Sequence, residues 1–168
     1  MTVHVSIVMP VYNAERHVGR ALAALLALRI PNDVRVSLTI VDDASTDGSM
    51  EVAGALLREA PFPVRVLHHP VNLGPSVARN TGLAAAGGDF VWLVDSDDWV
   101  TPDLLEAYLR ATAPDVDIVV ANMVPAAIGA LLIRTAPSWY ARLYRAARFL
   151  KRRRERRVGA RWRGLSHA

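Results

Sequence analysis

An α/β fold on a doubly wound, mostly parallel sheet flanked by helices is predicted by three observations. Apolar runs of strand length alternate with segments of helical periodicity along residues 3–121. The run Phe90-Val91-Trp92-Leu93-Val94 is apolar at every position, as a parallel strand covered on both faces is. Polar and acidic clusters follow three of the runs, at the strand ends where open α/β sheets gather their ligands.

Taken in order, residues 3–9 read as the first strand. Pro10-Val11-Tyr12-Asn13 ends it in a turn, with Tyr12 free to offer a flat face to a base or to pack. Val18, Leu22, Leu25 and Leu26 recur at helical spacing and predict a helix over 15–28. The next strand spans 34–41 and runs into Asp42-Asp43-Ala44-Ser45-Thr46-Asp47-Gly48-Ser49. Here Ser45 or Thr46 caps a helix over 46–60, and Asp42 or Asp43 can accept from a ribose hydroxyl or a base N–H. A short strand over 64–67 leads to His68-His69. As neighbours on a strand these face opposite sides, so they do not share a metal, and a surface or packing role is expected for both. Gly74-Pro75 opens a helix over 75–86 that carries Arg79, a guanidinium suited to a phosphate. The strand over 90–94 ends in Asp95-Ser96-Asp97-Asp98, three carboxylates that a hard cation shared with phosphates would reconcile. A helix over 102–113 and a strand over 116–121 complete the pattern.

The first turn has no G-x-G-x-x-G, which argues against a nicotinamide or flavin enzyme. A D-x-D phosphatase of the haloacid type needs its motif after the first strand, where Pro10-Val11-Tyr12-Asn13 stands instead. The chain contains no cysteine, so disulfides and thiolate metal sites are excluded, which fits a reducing compartment. No basic leader precedes the first strand, so no signal peptide is expected. The longest uncharged stretch, 118–133, is broken by Asn122, Pro125 and Gly129 and is read as a buried strand plus a loop, not a membrane span.

Charge divides the chain. Residues 142–163 hold eleven Arg/Lys and one acid, Glu155, leaving nine basic residues against fifteen acidic ones elsewhere. The predicted division is therefore a binding body over 1–124 and a basic, helical tail over 125–168. Trp139, Leu143 and Leu150 fall on one face of that helix, a pattern suited to an anionic membrane surface, with a solvated tail as the plainer alternative. Nucleic acid is disfavoured, because the acidic body repels phosphates.

In order and spacing, Ser6-Ile7-Val8-Met9-Pro10-Val11-Tyr12-Asn13, Val41-Asp42-Asp43-Ala44-Ser45-Thr46-Asp47-Gly48-Ser49, Asn72-Leu73-Gly74 through Ala78-Arg79-Asn80, and Val94-Asp95-Ser96-Asp97-Asp98 resemble the family 2 glycosyltransferases over roughly residues 3–122. The resemblance implies a GT-A, Rossmann-like fold. It also implies a nucleotide-diphospho-sugar donor, hexosyltransferase-like transfer with inversion, and Mg²⁺ or Mn²⁺. By position, Pro10 and Tyr12 would line the base pocket, Asp42 and Asp43 would hold the base, and Arg79 and Ser96 would lie along the nucleotide. Asp97 would ligate the metal, with Asp95 as the second D-x-D residue nearer the ribose. A saccharide or lipid-linked acceptor, in cell-surface polysaccharide or glycolipid synthesis, places the protein in the cytoplasm at the inner face of the membrane. The family carries its general base on a later acidic motif. After Asp117 the only acid is Glu155, so no catalytic base is identified. The competing reading is a nucleotide-sugar-binding or partner-binding module.

Overall fold

The computed structural model describes residues 2–112, 118–120 and 131–134. The elements run β1 Val3–Val11, α1 Glu15–Leu26, β2 Val34–Asp42, α2 Ser49–Leu57, β3 Val64–His68, α3 Pro75–Ala85, β4 Phe90–Leu93, α4 Leu104–Ala111, β5 Ile118–Val120 and β6 Leu131–Arg134. One sheet holds all six strands in the order β3-β2-β1-β4-β6-β5. The four strands β3, β2, β1 and β4 are parallel, and β6 is antiparallel to both of its neighbours. The expected α/β fold is present, with β6 as an antiparallel strand inside the segment expected to be a small apolar stretch and loop. That strand lies beyond residue 124, so the sheet continues past the expected end of the binding body. The predicted tail helix lies outside the described residues.

The sheet is central because β1 is apolar on both faces. Val5, Ile7, Met9 and Val11 pack in one buried cluster with Val18, Leu22 and Leu25 of α1 and Ala53 of α2. On the opposite face Gly82 lets α3 settle against Val8 and Val41. Trp92 of β4 is fully buried and meets Tyr108 of α4 edge to face, with ring centroids 5.4 Å apart.

Pro10 does not terminate β1 as expected; the strand continues through it to Val11. Val11 O accepts from Asp43 N on the β2 side, whereas Val8 O accepts from Val94 N on the β4 side. By strand alternation the N–H that Pro10 lacks would face β4, whose pairing has already ended at Val8↔Leu93. No ladder bond is lost.

The helix expected over 46–60 starts instead at Ser49, and neither Ser45 nor Thr46 caps it. Residues 43–48 form a loop laced to the β1–α1 loop. Asn13 N donates to Ser45 Oγ and Thr46 N to Asn13 Oδ1; Glu15 N donates to Asp47 Oδ2 and Gly48 N to Glu15 Oε2. Each acid thus satisfies an amide at the start of the other's helix. Two residues in the laced loops, Asn13 (φ 46°) and Ala44 (φ 62°), are left-handed. Among the described residues no helix is long and apolar enough to cross a membrane.

Candidate functional site

The chain runs from β1 to β2 to β3 on one side, then returns to β4 on the other side of β1. This reversal opens a crevice beyond the carboxyl ends of β1 and β4, the usual ligand position in such sheets. A cleft of ≈ 350 Å³ occupies it, lined by Pro10, Tyr12, Asn13, His17, Asp43, Asn72, Pro75, Ala78, Arg79, Asp95, Ser96 and Asp97, among others. A larger cavity of ≈ 890 Å³, lined by His4, Ser6, Arg35 and Ser37 among others, sits by the amino ends of β1 and β2 and holds none of these acids.

Seven of the eight residues singled out from the sequence therefore meet in one cleft. Asp42 is the exception. Its Oδ1 accepts from Ser45 N at 2.9 Å and its Oδ2 lies 3.1 Å from His68 Nδ1, which makes it a turn-forming residue behind the cleft. Burial pushes its pKa up, but the bonds to Ser45 and His68 outweigh that and hold it below the ordinary value.

Asp43 is almost wholly enclosed, its side chain 3% exposed. Oδ1 takes bonds from His69 Nδ1 at 2.6 Å and Leu73 N at 2.9 Å, and Oδ2 from Gly74 N at 2.7 Å. Burial raises its pKa, while His69 and the two backbone amides together lower it further, so the net shift is downward and the group is an anion. A carboxylate offers about four acceptor positions, so one on Oδ2 is left. Tyr12 stands half exposed at the cleft, available as a stacking face.

Arg79 grips Asp95 in a forked ion pair, Nη2 lying 2.6 Å from Oδ1 and 2.7 Å from Oδ2, with both side chains partly open to solvent. The guanidinium expected to meet a phosphate is thus engaged by a carboxylate, and α3 is tied to the loop after β4. Trp99 lies under the Arg20 guanidinium at 5.3 Å, which anchors the same loop to α1. Asp98 turns inward and is 3% exposed; burial first, then the charges of Asp95 and Asp97, push its pKa up to about 6.

Asp97 is exposed and makes no hydrogen bond or ion pair among the described residues. No group of three or more His, Asp or Glu forms an all-protein cation cage among the described residues. A cation held by one or two carboxylates and by substrate phosphates needs no cage. Asp97, with Asp95 beside it in the same cleft, fits a cation bound in that way.

Sequence reasoning missed His17 at the cleft, gave Asn72 and Pro75 no more than a place in the motif and the helix start, and took His69, which lies behind the cleft, for a surface or packing residue. His69 had a legible signal. In the parallel register Asp42 is opposite His68, so two acids end one strand where two histidines end the next.

The sequence profile of glycosyl transferase family 2 matches residues 6–168. The succinoglycan biosynthesis protein ExoO of Rhizobium meliloti is 36% identical over 121 residues, 71% of this chain and 33% of that protein. Staphylococcus aureus TarS 1–349, solved with UDP-GlcNAc, superposes with a TM-score of 0.58 at 30% identity, over 66% of this chain and 30% of that one. The Pyrobaculum calidifontis mannosyltransferase PcManGT, solved with GDP-Man and Mn²⁺, gives 0.66 at 25% identity, over 74% and 37%. The chain spans less than half the length of the curated relatives it matches.

Proposed function

This chain belongs to glycosyl transferase family 2, and from that premise we propose that it transfers a sugar, with inversion, from a nucleotide-diphospho-sugar to a saccharide or lipid-linked acceptor in cell-surface polysaccharide or glycolipid synthesis. The observation that carries this reading is the cleft at the β1–β4 reversal. It gathers a buried acceptor (Asp43), a fixed guanidinium–carboxylate pair (Arg79–Asp95) and a carboxylate unpaired among the described residues (Asp97).

Asp43 accepts an N–H from the edge of the base, and Tyr12 and Pro10 bound the base pocket. A carboxylate that only accepts favours bases with a ring N–H beside a carbonyl, such as uracil or guanine. UDP-GlcNAc and GDP-Man, the ligands of the two structural neighbours, both carry such bases. Arg79 positions Asp95 along the ribose and diphosphate, and Ser96 lines the same wall. Asp97, with Asp95 as its neighbour, would hold Mg²⁺ or Mn²⁺ against the diphosphate. Bound there, the cation neutralises charge on the departing diphosphate. The protein's own part is to fix the base and ribose so that the anomeric carbon is presented in one orientation.

The acceptor side supports a second reading. Asp43 is spent on the loop and the base, Asp95 on Arg79, and Asp97 on the cation, so no carboxylate lining the cleft is left to deprotonate a hydroxyl among the described residues. A nucleotide-sugar-binding module without its own base would look the same. Donor turnover with Mn²⁺ separates the two: release of nucleoside diphosphate from UDP- or GDP-sugars supports the enzyme. Metal-dependent binding with neither transfer nor hydrolysis supports the module. The basic stretch 142–163 is proposed to hold the protein at an anionic inner membrane face. Vesicles containing anionic lipid should retain the chain and not a form lacking 138–168, and equal retention would refute this.

A further inference from the structure

The tightest hydrogen bond on Asp43 comes from a residue with no assigned part in donor binding. His69 follows β3, its side chain is 9% exposed, and its two ring nitrogens are both engaged, Nδ1 with Asp43 Oδ1 at 2.6 Å and Nε2 with Thr81 Oγ1 at 2.9 Å. An ionised carboxylate only accepts, so the proton lies on Nδ1, and in the neutral ring Nε2 accepts from the Thr81 hydroxyl. This fixes the ring between a strand end and a helix. It also fixes the carboxylate: with His69 and Leu73 N on Oδ1 and Gly74 N on Oδ2, the one remaining acceptor position is on Oδ2. Without the imidazole, Oδ1 would have a vacant position of its own and the carboxyl plane could rotate about its two backbone bonds.

We propose that His69 is a positioning residue for nucleotide recognition: it holds Asp43 in the one orientation that leaves a single Oδ2 acceptor for a base N–H, and through Thr81 it ties that acceptor to α3. The inference rests on the reading of Asp43 as the base-binding acid. It extends that reading by making base selectivity depend on a side chain that never touches the nucleotide. Because α3 also carries Arg79, the partner of Asp95, the same contact keeps the base acceptor in register with the diphosphate end of the cleft.

The test uses the full chain with Mn²⁺ and two pairs of probes by titration calorimetry: UDP against 3-methyluridine diphosphate, and GDP against 1-methylguanosine diphosphate. Within each pair only the ring N–H is removed. The unaltered chain should prefer the parent of one pair by about tenfold or more, the value of a hydrogen bond to a charged acceptor. Two variants of similar size then separate positioning from general support. His69→Asn puts an amide donor where Nδ1 sits and should keep most of that preference. His69→Gln puts it where Nε2 sits, leaves Asp43 Oδ1 with Leu73 N alone and one acceptor position vacant, and should reduce the preference to about threefold or less. His69→Ala should behave as Gln does, with melting temperatures reporting that each variant is folded. Equal behaviour of the Asn and Gln variants, whether both keep or both lose the preference, overturns the proposal while leaving the role of Asp43 standing. If the unaltered chain discriminates neither pair, the reading of Asp43 falls, and this inference falls with it.

Discussion

Replacing Gly82 with alanine would place a methyl group 2.2 Å from Val8 Cγ1 and 3.3 Å from Val41 Cγ2. Val8 cannot turn away, because its side chain is fully buried in β1 and a β-branched side chain on a packed strand has few rotamers. Helix α3 must then back off until 2.2 Å becomes an ordinary 3.4 Å, a movement of about 1.2 Å. Overpacking of this kind costs about 1–3 kcal/mol, and alanine returns about 1 kcal/mol of helix propensity. The expected net loss is up to about 2 kcal/mol, or up to about 8 °C in melting temperature for a domain of this size. The same shift carries Arg79 and Thr81 outward, stretching bonds of 2.6–2.9 Å to Asp95 and His69 past useful length. Nucleoside diphosphate affinity should therefore fall together with stability. Gly54 in α2 supplies the control: nothing lies within 4 Å of its added methyl, so Gly54→Ala should stabilise by up to about 1 kcal/mol. Denaturant unfolding and calorimetric titration of both variants test this. If Gly82→Ala is as stable as the parent and binds nucleotide normally, α3 does not depend on close approach and the coupling argued here is wrong.

Two further predictions concern the acidic loops. Ala44 is left-handed at φ 62° in the turn between Asp43 and Ser45; Ala44→Gly should therefore raise stability by about 0.5 kcal/mol, the opposite of the usual sign, as read by thermal unfolding. Asp43 has its pKa lowered beneath the ordinary 3.8. Its contribution is full above 3.8 and is lost as pH falls through the lower folded value. Asp43→Asn should thus unfold with a shallower acid limb below 3.8, and at neutral pH should be about 1–3 kcal/mol less stable, because an amide N–H would then face a backbone donor. An unchanged acid limb would show that the carboxylate is not held by these bonds.

Much of the fold was legible because its strands are apolar at consecutive positions and its acids sit at their carboxyl ends. β1 and β4 follow from the first feature, and the convergence of Asp43, Asp95 and Asp97 follows from the second. Strand β6 was hidden because three apolar residues and an arginine, between glycine and proline signals, fit a strand or a loop equally well. The start of α2 was misplaced because Ser45 and Thr46 have the chemistry of caps but bond across to Asn13, a partner 32 or 33 residues away. Asp42 and Asp43 look equivalent in the sequence. Pleating separates them, turning one toward Ser45 and His68 and the other into the cleft. The strand register that pairs them with His68 and His69 could have been inferred once β2 and β3 were taken as parallel neighbours.

In the proposed site the cleft holds a cation and a nucleoside diphosphate together, with Asp97 as the cation's protein ligand. Titration of UDP and GDP into the chain and into Asp97→Ala, each with Mn²⁺ and with chelator, tests it most directly. The unaltered chain should bind at least one of the two at least tenfold more tightly with Mn²⁺ than with chelator. Asp97→Ala should erase that gain while its melting temperature stays within about 2 °C, since the side chain is exposed and has no partner among the described residues. A metal-dependent gain that survives intact in Asp97→Ala would contradict it.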